Sequence, residues 1–266
     1  MTTYRTKSVR IILLVAVALI LSSVVSCSSS GGYNPTVFDY GYEAEKIAAK
    51  PIKKVVLAPV SMGAPAPSYL QKRERKVKAM VKQYLESNGY EVLPNYHFEN
   101  AWKQASRTYG NVYDPSTGKI DIKAWRGAMI TTGEILRDQT DTDAIIFADL
   151  FEHEVQHSNS MKHYARWYGV TRKPALQGSG TGVPVDFDWS QRIKAASLMV
   201  TVYDISLTRV FASRGGIDTL YAVDLKRSNP AFVRRKKMLK SEDNIEEGIE
   251  LAFHPFITMK NYPGNK

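Results

Sequence analysis

Cysteine is almost absent from this sequence, because Cys27 is the single thiol among 266 residues. A chain with one thiol cannot form an internal disulfide, which excludes the disulfide framework that many small exported domains use. Long apolar runs are missing too. The uncharged run from Ile11 to Val25 falls short of the roughly 20 residues that a transmembrane helix needs. The fold must therefore be stabilised by a hydrophobic core.

The first 26 residues are typical of a secretory signal peptide. The first ten positions contain basic residues and no acid, the apolar run follows, and the small residue Ser26 precedes Cys27. The stretch Val24–Cys27 resembles a bacterial lipobox, which implies that Cys27 carries palmitate-type acyl chains and becomes the first residue of the mature chain. Such chains anchor firmly, since each buried CH₂ contributes about 0.8 kcal/mol. The alternative is an ordinary signal anchor with an incidental cysteine.

Residues 27–50 are predicted to form the lipidated cysteine and a flexible tether, because the stretch SSSGGYNPT is rich in serine and glycine. Ser28 directly after the cysteine resembles enterobacterial lipoproteins. That resemblance implies anchoring in the bacterial outer membrane, with the folded body on the periplasmic face. Retention in the inner membrane stays open as the alternative.

The rest of the chain has the composition of an ordinary globular protein, with 44% hydrophobic and 23% charged residues. It is long enough to bury a sizeable core. We assign one α/β domain to residues 51–255 and a C-terminal tail to residues 256–266. The domain contains an insertion at about residues 158–190.

Positive charge dominates the sequence, with a formal net charge of +10, and part of it is concentrated in the acid-free segment 226–240. Such a run favours an anionic partner, whether lipid headgroups, a glycan or an acidic protein. The candidate binding residues are Lys226, Arg227, Arg234, Arg235, Lys236 and Lys237. A solvated loop is the alternative, and nucleic acid is not expected as a partner of an exported lipoprotein.

The domain alternates predicted strands and helices. Apolar runs and alternation predict strands at 53–60, 90–94, 144–151 and 195–204, the last with a hairpin partner at 209–216. Apolar residues at helical spacing predict helices at 70–85, 98–107, 122–137 and 241–256. The order predicts an α/β (α+β) fold, a mixed β-sheet flanked by helices in two or three layers.

This order resembles a group of envelope lipoproteins, on the segments KKVVLAPV, NGYEVLP, TDAIIFADL and LMVTVYDISLTRVFAS. The group comprises the curli-secretion lipoprotein family and related periplasmic lipoproteins with a TolB-N-terminal-like fold. The resemblance spans roughly residues 50–255 and implies envelope assembly or secretion rather than chemistry. This sequence departs from the group in its aromatic-rich insertion, so the resemblance implies neither a specific partner nor pore formation for this chain.

The stretch HEVQHSNSMKH contains an H-E-x-x-H motif and a third histidine, His163. On a helix, His153 and His157 would bind one zinc ion with His163, and Glu154 would polarise the metal-bound water. The preceding run AIIFADLF predicts a strand, on which the first two histidines would lie about 13 Å apart at about 3.3 Å per residue. Zinc–nitrogen bonds of about 2.0–2.1 Å cannot join them there. We expect the strand and keep the zinc peptidase as the alternative.

The insertion mixes aromatic side chains with arginines and contains the glycine-rich stretch GSGTG. Trp, Tyr and Arg dominate the energetics of protein contacts, so Trp167, Tyr168 and Trp189 are predicted to form a partner-binding or membrane-proximal loop. A β-excursion with its own small aromatic cluster is an equal alternative.

Three functions follow from these patterns. The leading hypothesis is a non-enzymatic, lipid-anchored envelope protein that needs no cofactor and binds another envelope protein or a second copy of itself. The first alternative is a zinc-dependent peptidase. The second is a protein that binds anionic lipid or glycan through the basic segment 226–240.

Overall fold

The computed structural model describes residues 38–59, 67–110, 112–114, 117, 119–180, 182–226 and 229–265. The strands are β1 Tyr40–Tyr42, β2 Lys54–Leu57, β3 Glu91–Leu93, β4 Ala144–Gln156, β5 Ala165–Trp167, β6 Val170–Arg172, β7 Ala175–Gln177, β8 Arg192–Asp204, β9 Arg209–Thr219, β10 Tyr221–Asp224 and β11 Ala231–Arg234. The helices are α1 Ala44–Ala49, α2 Ser68–Ser87, α3 Asn95–Tyr109, α4 Ile122–Thr140 and α5 Glu242–Phe253, and a short 3₁₀ turn spans Pro263–Asn265.

A six-stranded mixed sheet forms the centre, in the order β1-β9-β8-β4-β2-β3. Strand β2 pairs parallel with β3 and β4, whereas β4, β8, β9 and β1 pair antiparallel. Helices pack on both faces, so the predicted α/β fold is confirmed. Smaller sheets, β11-β10-β7 and β5-β6, lie beside it.

Helices α2 and α5 cover one face of the central sheet. On α2, the buried residues Leu70, Val77, Val81 and Leu85 follow helical spacing and form one apolar stripe. This stripe packs in the same core cluster as Ile146 of β4 and the buried residues of α5. Helix α5 begins where the sequence predicts, because the Ser241 side chain accepts a hydrogen bond from the Asn244 N–H.

Helices α3 and α4 cover part of the opposite face. Phe98 of α3 and Met129 of α4 pack with Ile145 and Phe147 of β4 in a second cluster. Helix α4 begins at a capping aspartate, Asp121, whose carboxylate accepts hydrogen bonds from the first backbone N–H groups of the helix. These two helices pack over β2 and β4 and reach β8 only at its end, where Tyr203 packs against the same cluster.

Strand β9 and helix α5 approach each other through glycines. A Cβ atom added at Gly215 would lie 1.9 Å from the carbonyl oxygen of Gly248, and one at Gly248 would lie 2.7 Å from the Gly216 oxygen. Real side chains do not fit at such distances. The glycines therefore set the separation of helix and sheet.

Two predicted chain boundaries are wrong. The tether was predicted to reach residue 50, but β1 pairs with β9 and the Tyr42 ring packs edge-on against Phe211 at 6.1 Å. The predicted tail 256–266 belongs to the body, because Phe256 and Tyr262 are 9% and 7% exposed. In both places backbone pairing and aromatic burial fix segments whose sequence shows no periodic pattern. Cys27, the predicted lipidation site, lies outside the described residues.

None of the helices in the described ranges is long and apolar enough to cross a membrane.

Candidate functional site

The H-E-x-x-H stretch lies at the end of strand β4, as the strand hypothesis predicts, with His153 and Glu154 in the strand and His157 directly after its last residue. His153 pairs with Ala195 of β8, and Glu154 pairs with Lys194. Because neighbouring strand residues point to opposite faces of a sheet, Glu154 faces away from His153. The helical arrangement that a zinc peptidase requires of this motif is not formed.

His153 is held by a hydrogen-bond chain. Its Nε2 lies 2.9 Å from the Ser197 Oγ, and that oxygen also accepts a hydrogen bond from the Trp167 Nε1–H at 3.1 Å. The serine hydroxyl is therefore free to donate its own proton to the histidine. The Tyr168 ring lies 4.9 Å from the imidazole, and burial lowers the pKa of His153 to about 4. His153 is a neutral, structural hydrogen-bond partner near pH 7.

His157 and His163 belong to an aromatic cluster. His157 is 1% exposed, and its ring stacks on Phe232 with centroids 5.6 Å apart. The Trp189 ring lies 6.0 Å from His157 and stacks on His163 at 4.1 Å. Burial, with a smaller repulsion from His163, lowers the pKa of His157 to about 4. Both imidazoles are packed as aromatic rings.

Glu154 is engaged on the other side of the strand. Its carboxylate forms exposed ion pairs with Lys194 and Arg192, each at 3.4 Å. The hydrogen bonds from Lys194 and then from Arg192 lower the pKa of Glu154. Throughout the described ranges, no group of three or more His, Cys, Asp or Glu side chains is placed to hold a metal ion. The described residues of the motif do not have the arrangement that the alternative zinc-peptidase hypothesis requires.

The predicted partner loop is mostly core. Trp167 is 1% exposed and Trp189 is 9% exposed, so neither ring offers a surface to a partner. Trp167 packs with Val155 of β4 and Ile193 of β8 beneath the β5–β6 hairpin. The prediction of a partner loop is wrong for these two residues, and the alternative of an aromatic cluster is confirmed. Tyr168 is half-buried at the edge of that hairpin.

The candidate residues of the basic segment 226–240 lie in different environments. Arg235 forms an ion pair with Asp218 at 2.6 Å and donates to the Thr219 carbonyl, and Arg234 stacks over the Tyr69 ring at 3.9 Å. Lys226, Lys236 and Lys237 are exposed, and Arg227 lies outside the described residues. The five residues that the structure describes thus have different roles, because Arg235 stabilises the body and Arg234 covers an aromatic ring.

Part of the central sheet is uncovered on the α3–α4 side. Three residues of β8 face outward there, and each pairs with a residue of β9: Tyr203 with Arg209, Thr201 with Ala212, and Met199 with Arg214. They line a cavity of about 490 Å³ that extends to Asp39 and Gly41 beside β1. Helix α4 covers the sheet residues on one side of this surface, and the β5–β6 hairpin covers those on the other side.

A second cavity, of about 370 Å³, continues from the first. It is formed by α4 and the β8–β9 turn, and Tyr203 lines both cavities. Its other lining residues are Trp125, Arg126, Met129, Ile130, Ser206 and Leu207. We call the two together the Tyr203 groove, which runs from α4 across β8 and β9 to β1.

The Tyr203 groove is apolar at its floor and cationic at its rim. Arg126, Arg209 and Arg214 are exposed, and in the described part of the chain no carboxylate forms an ion pair with any of them. The Arg214 guanidinium lies 5.6 Å from the Tyr168 ring centre. Burial raises the pKa of Tyr203, so its phenol is neutral near pH 7. The groove offers apolar contact and positive charge.

No family model, no curated protein and no solved structure matches the chain. The resemblance to the curli-secretion group therefore stays a prediction from the order of segments. What the groove can bind is decided by its own residues.

Proposed function

We propose that the chain is a lipid-anchored, non-enzymatic binding component of the bacterial envelope, and that it holds a protein partner in the Tyr203 groove. The observation that carries the proposal is the groove itself, an open concave surface on β8 and β9 of the central sheet. Its cavities fall within the range of about 300–1,000 Å³ that is usual for binding sites. A role in envelope assembly or secretion follows the resemblance and is part of the proposal.

The composition of the groove supports protein binding. Interfaces combine an apolar centre with a polar rim and are enriched in Tyr, Met and Arg. The groove presents Tyr203 and Met199 at its centre, and Ile130, which is 45% exposed, at its α4 end. Strands and a long helix position these side chains, so the surface is formed before a partner arrives.

The anchor is supported by the lipobox-like stretch before Cys27 and by where the body begins. Strand β1 starts at Tyr40, and the buried hydrophobic residues run from Val55 to Tyr262. A chain that starts at Ser28 therefore keeps the whole described core. From Cys27 to Phe38 the chain can span at most about 40 Å. Because Asp39 lines the groove, a lipid at Cys27 would hold the groove close to the membrane surface.

The anchor is tested by replacing Cys27. In cells that express the full chain, we expect Cys27→Ala to move the protein from the membrane fraction to the soluble fraction or to leave it with its signal uncleaved. The matched control, Ser30→Ala, should stay in the membrane fraction and incorporate labelled palmitate. Equal palmitate labelling of Cys27→Ala and the natural chain would contradict lipidation at this position.

Partner binding is tested by photo-crosslinking in living cells. A p-benzoylphenylalanine in place of Ala212, at the floor of the groove, is expected to give a discrete adduct with another envelope protein. Leu176, which is 55% exposed on β7 away from the groove, is the control position and should give none. An adduct from position 176 without one from position 212 would place binding elsewhere on the molecule.

A further inference from the structure

We infer that the Tyr203 groove takes an extended acidic peptide segment of the partner protein. This inference rests on the proposed function and names the chemistry of what the groove holds. It is argued from the charge, the spacing and the shape of the groove.

The positive charge of the groove rim favours an anionic ligand. Arg126, Arg209 and Arg214 all line the groove, while Asp39 is the only carboxylate among its described lining residues. Arginine binds carboxylates through two parallel hydrogen bonds, and its planar head stays charged at every relevant pH. Carboxylates of a partner would form ion pairs with these arginine side chains.

The spacing of the arginines suits two anionic groups. Arg209 and Arg214 lie on the same strand and pair with Tyr203 and Met199 of β8, because a register shift at Val202 and Tyr203 takes up the extra residue of β9. The four residue steps from Met199 to Tyr203 correspond to roughly 13 Å at about 3.3 Å per residue. An extended peptide with two acidic residues about four positions apart matches this distance and directs both carboxylates to the same side.

The surface between the arginines is apolar or small. Met199, Thr201 and Ala212 form the floor, and Leu207 and Ile130 continue it towards α4. A peptide that lies along the groove would place apolar side chains on this floor and acidic side chains at the rim. The matching sequence is therefore acidic and amphipathic, not uniformly acidic.

The shape separates a peptide from a membrane surface. Thr201 at the floor is 7% exposed, and the arginines stand above it at the rim. A bilayer surface is flat on this scale and would touch the rim alone. A narrow chain reaches both the rim and the floor, so we assign the groove to a peptide segment.

Selection from a random 12-residue peptide library displayed on phage tests the inference, with the chain from Ser28 onward as bait. We expect the selected peptides to be enriched in pairs of Asp or Glu about four residues apart, with apolar residues between them. Synthetic copies should bind at least tenfold more weakly to an Arg209→Glu, Arg214→Glu double variant. The matched control is Lys236→Glu, Lys237→Glu, which reverses two exposed charges outside the groove and should leave affinity unchanged.

Several results would overturn the inference. Selected peptides without acidic enrichment would do so, as would equal losses of affinity in the groove and control variants. Groove-dependent binding to phosphatidylglycerol vesicles, with no selected peptide, would assign the groove to lipid. Unchanged thermal unfolding of the double variant confirms that it is folded. If crosslinking at position 212 succeeds while acidic selection fails, the proposed function stands and only this inference is lost.

Discussion

Trp167→Ala is expected to destabilise the protein by about 3–5 kcal/mol, the usual cost of removing a fully buried tryptophan. The Trp167 ring is 1% exposed, and its Nε1–H donates to the Ser197 hydroxyl that holds His153. Truncation leaves a large cavity under the β5–β6 hairpin and removes one donor from a buried chain. The free energy of unfolding in urea, followed by circular dichroism, measures the effect.

Leu176→Ala is the matched control within the same insertion. Leu176 is 55% exposed, so its truncation should change the free energy of unfolding by no more than about 0.5 kcal/mol. Near-neutral behaviour of Trp167→Ala would mean that the indole is accessible. In that case Trp167 would return as a candidate contact for a partner.

Gly215→Ala is expected to cost about 3 kcal/mol, the upper part of the range for overpacking a core. The added Cβ would lie 1.9 Å from the Gly248 carbonyl oxygen and 2.7 Å from the Ala252 backbone nitrogen. Both neighbours are backbone atoms of α5 and cannot rotate away. Strand β9 and the helix must therefore separate, which disturbs the buried contacts of Phe253 and Ile249 in the same cluster.

Gly41→Ala is the control for Gly215→Ala. Gly41 also lies on a strand, but nothing stands within 4 Å of the position of its Cβ. Its replacement should leave the thermal unfolding temperature nearly unchanged, while Gly215→Ala should lower that temperature by several degrees or prevent folding. Similar unfolding temperatures for the two variants would contradict the close approach of α5 to β9.

The central sheet and its long helices could be predicted because their residues repeat. Leu70, Val77, Val81 and Leu85 mark the buried side of α2 by spacing alone, and the apolar run of β4 carries the strand through His153. Local pattern and tertiary burial agree at these positions. The long elements of the domain could therefore be predicted from the sequence, whereas the short strands and the exact ends of the elements could not.

The segments without such a pattern could not be assigned. Strand β1 is three residues long and fully exposed along its length, so its pairing with β9 depends on the sheet being already present. The burial of Tyr262 likewise depends on His254, on which its ring stacks at 3.9 Å. Neither contact can be recognised from a pattern in the local sequence.

The candidate site was the least predictable feature. Its arginines are scattered over α4 and β9, and only strand pairing and the extent of α4 bring them to one groove. The basic segment 226–240 had the stronger sequence signal, yet Asp218 neutralises its Arg235. The alternation along β8 was one sequence feature that indicated the groove. Thr201 and Tyr203 are polar residues on a sheet face that a second layer of helices would otherwise bury.

The zinc content of the purified chain, from Ser28 onward, tests most directly the claim that HEVQH is structural and is not a zinc centre. The protein should be expressed in zinc-supplemented medium without a metal-binding tag. We expect no more zinc than in the His153→Ala variant, because His153 lies in β4 and His157 directly follows its last residue, which places them about 13 Å apart along an extended chain. About one zinc per chain, lost in both His153→Ala and His157→Ala, would contradict the account and restore the peptidase hypothesis.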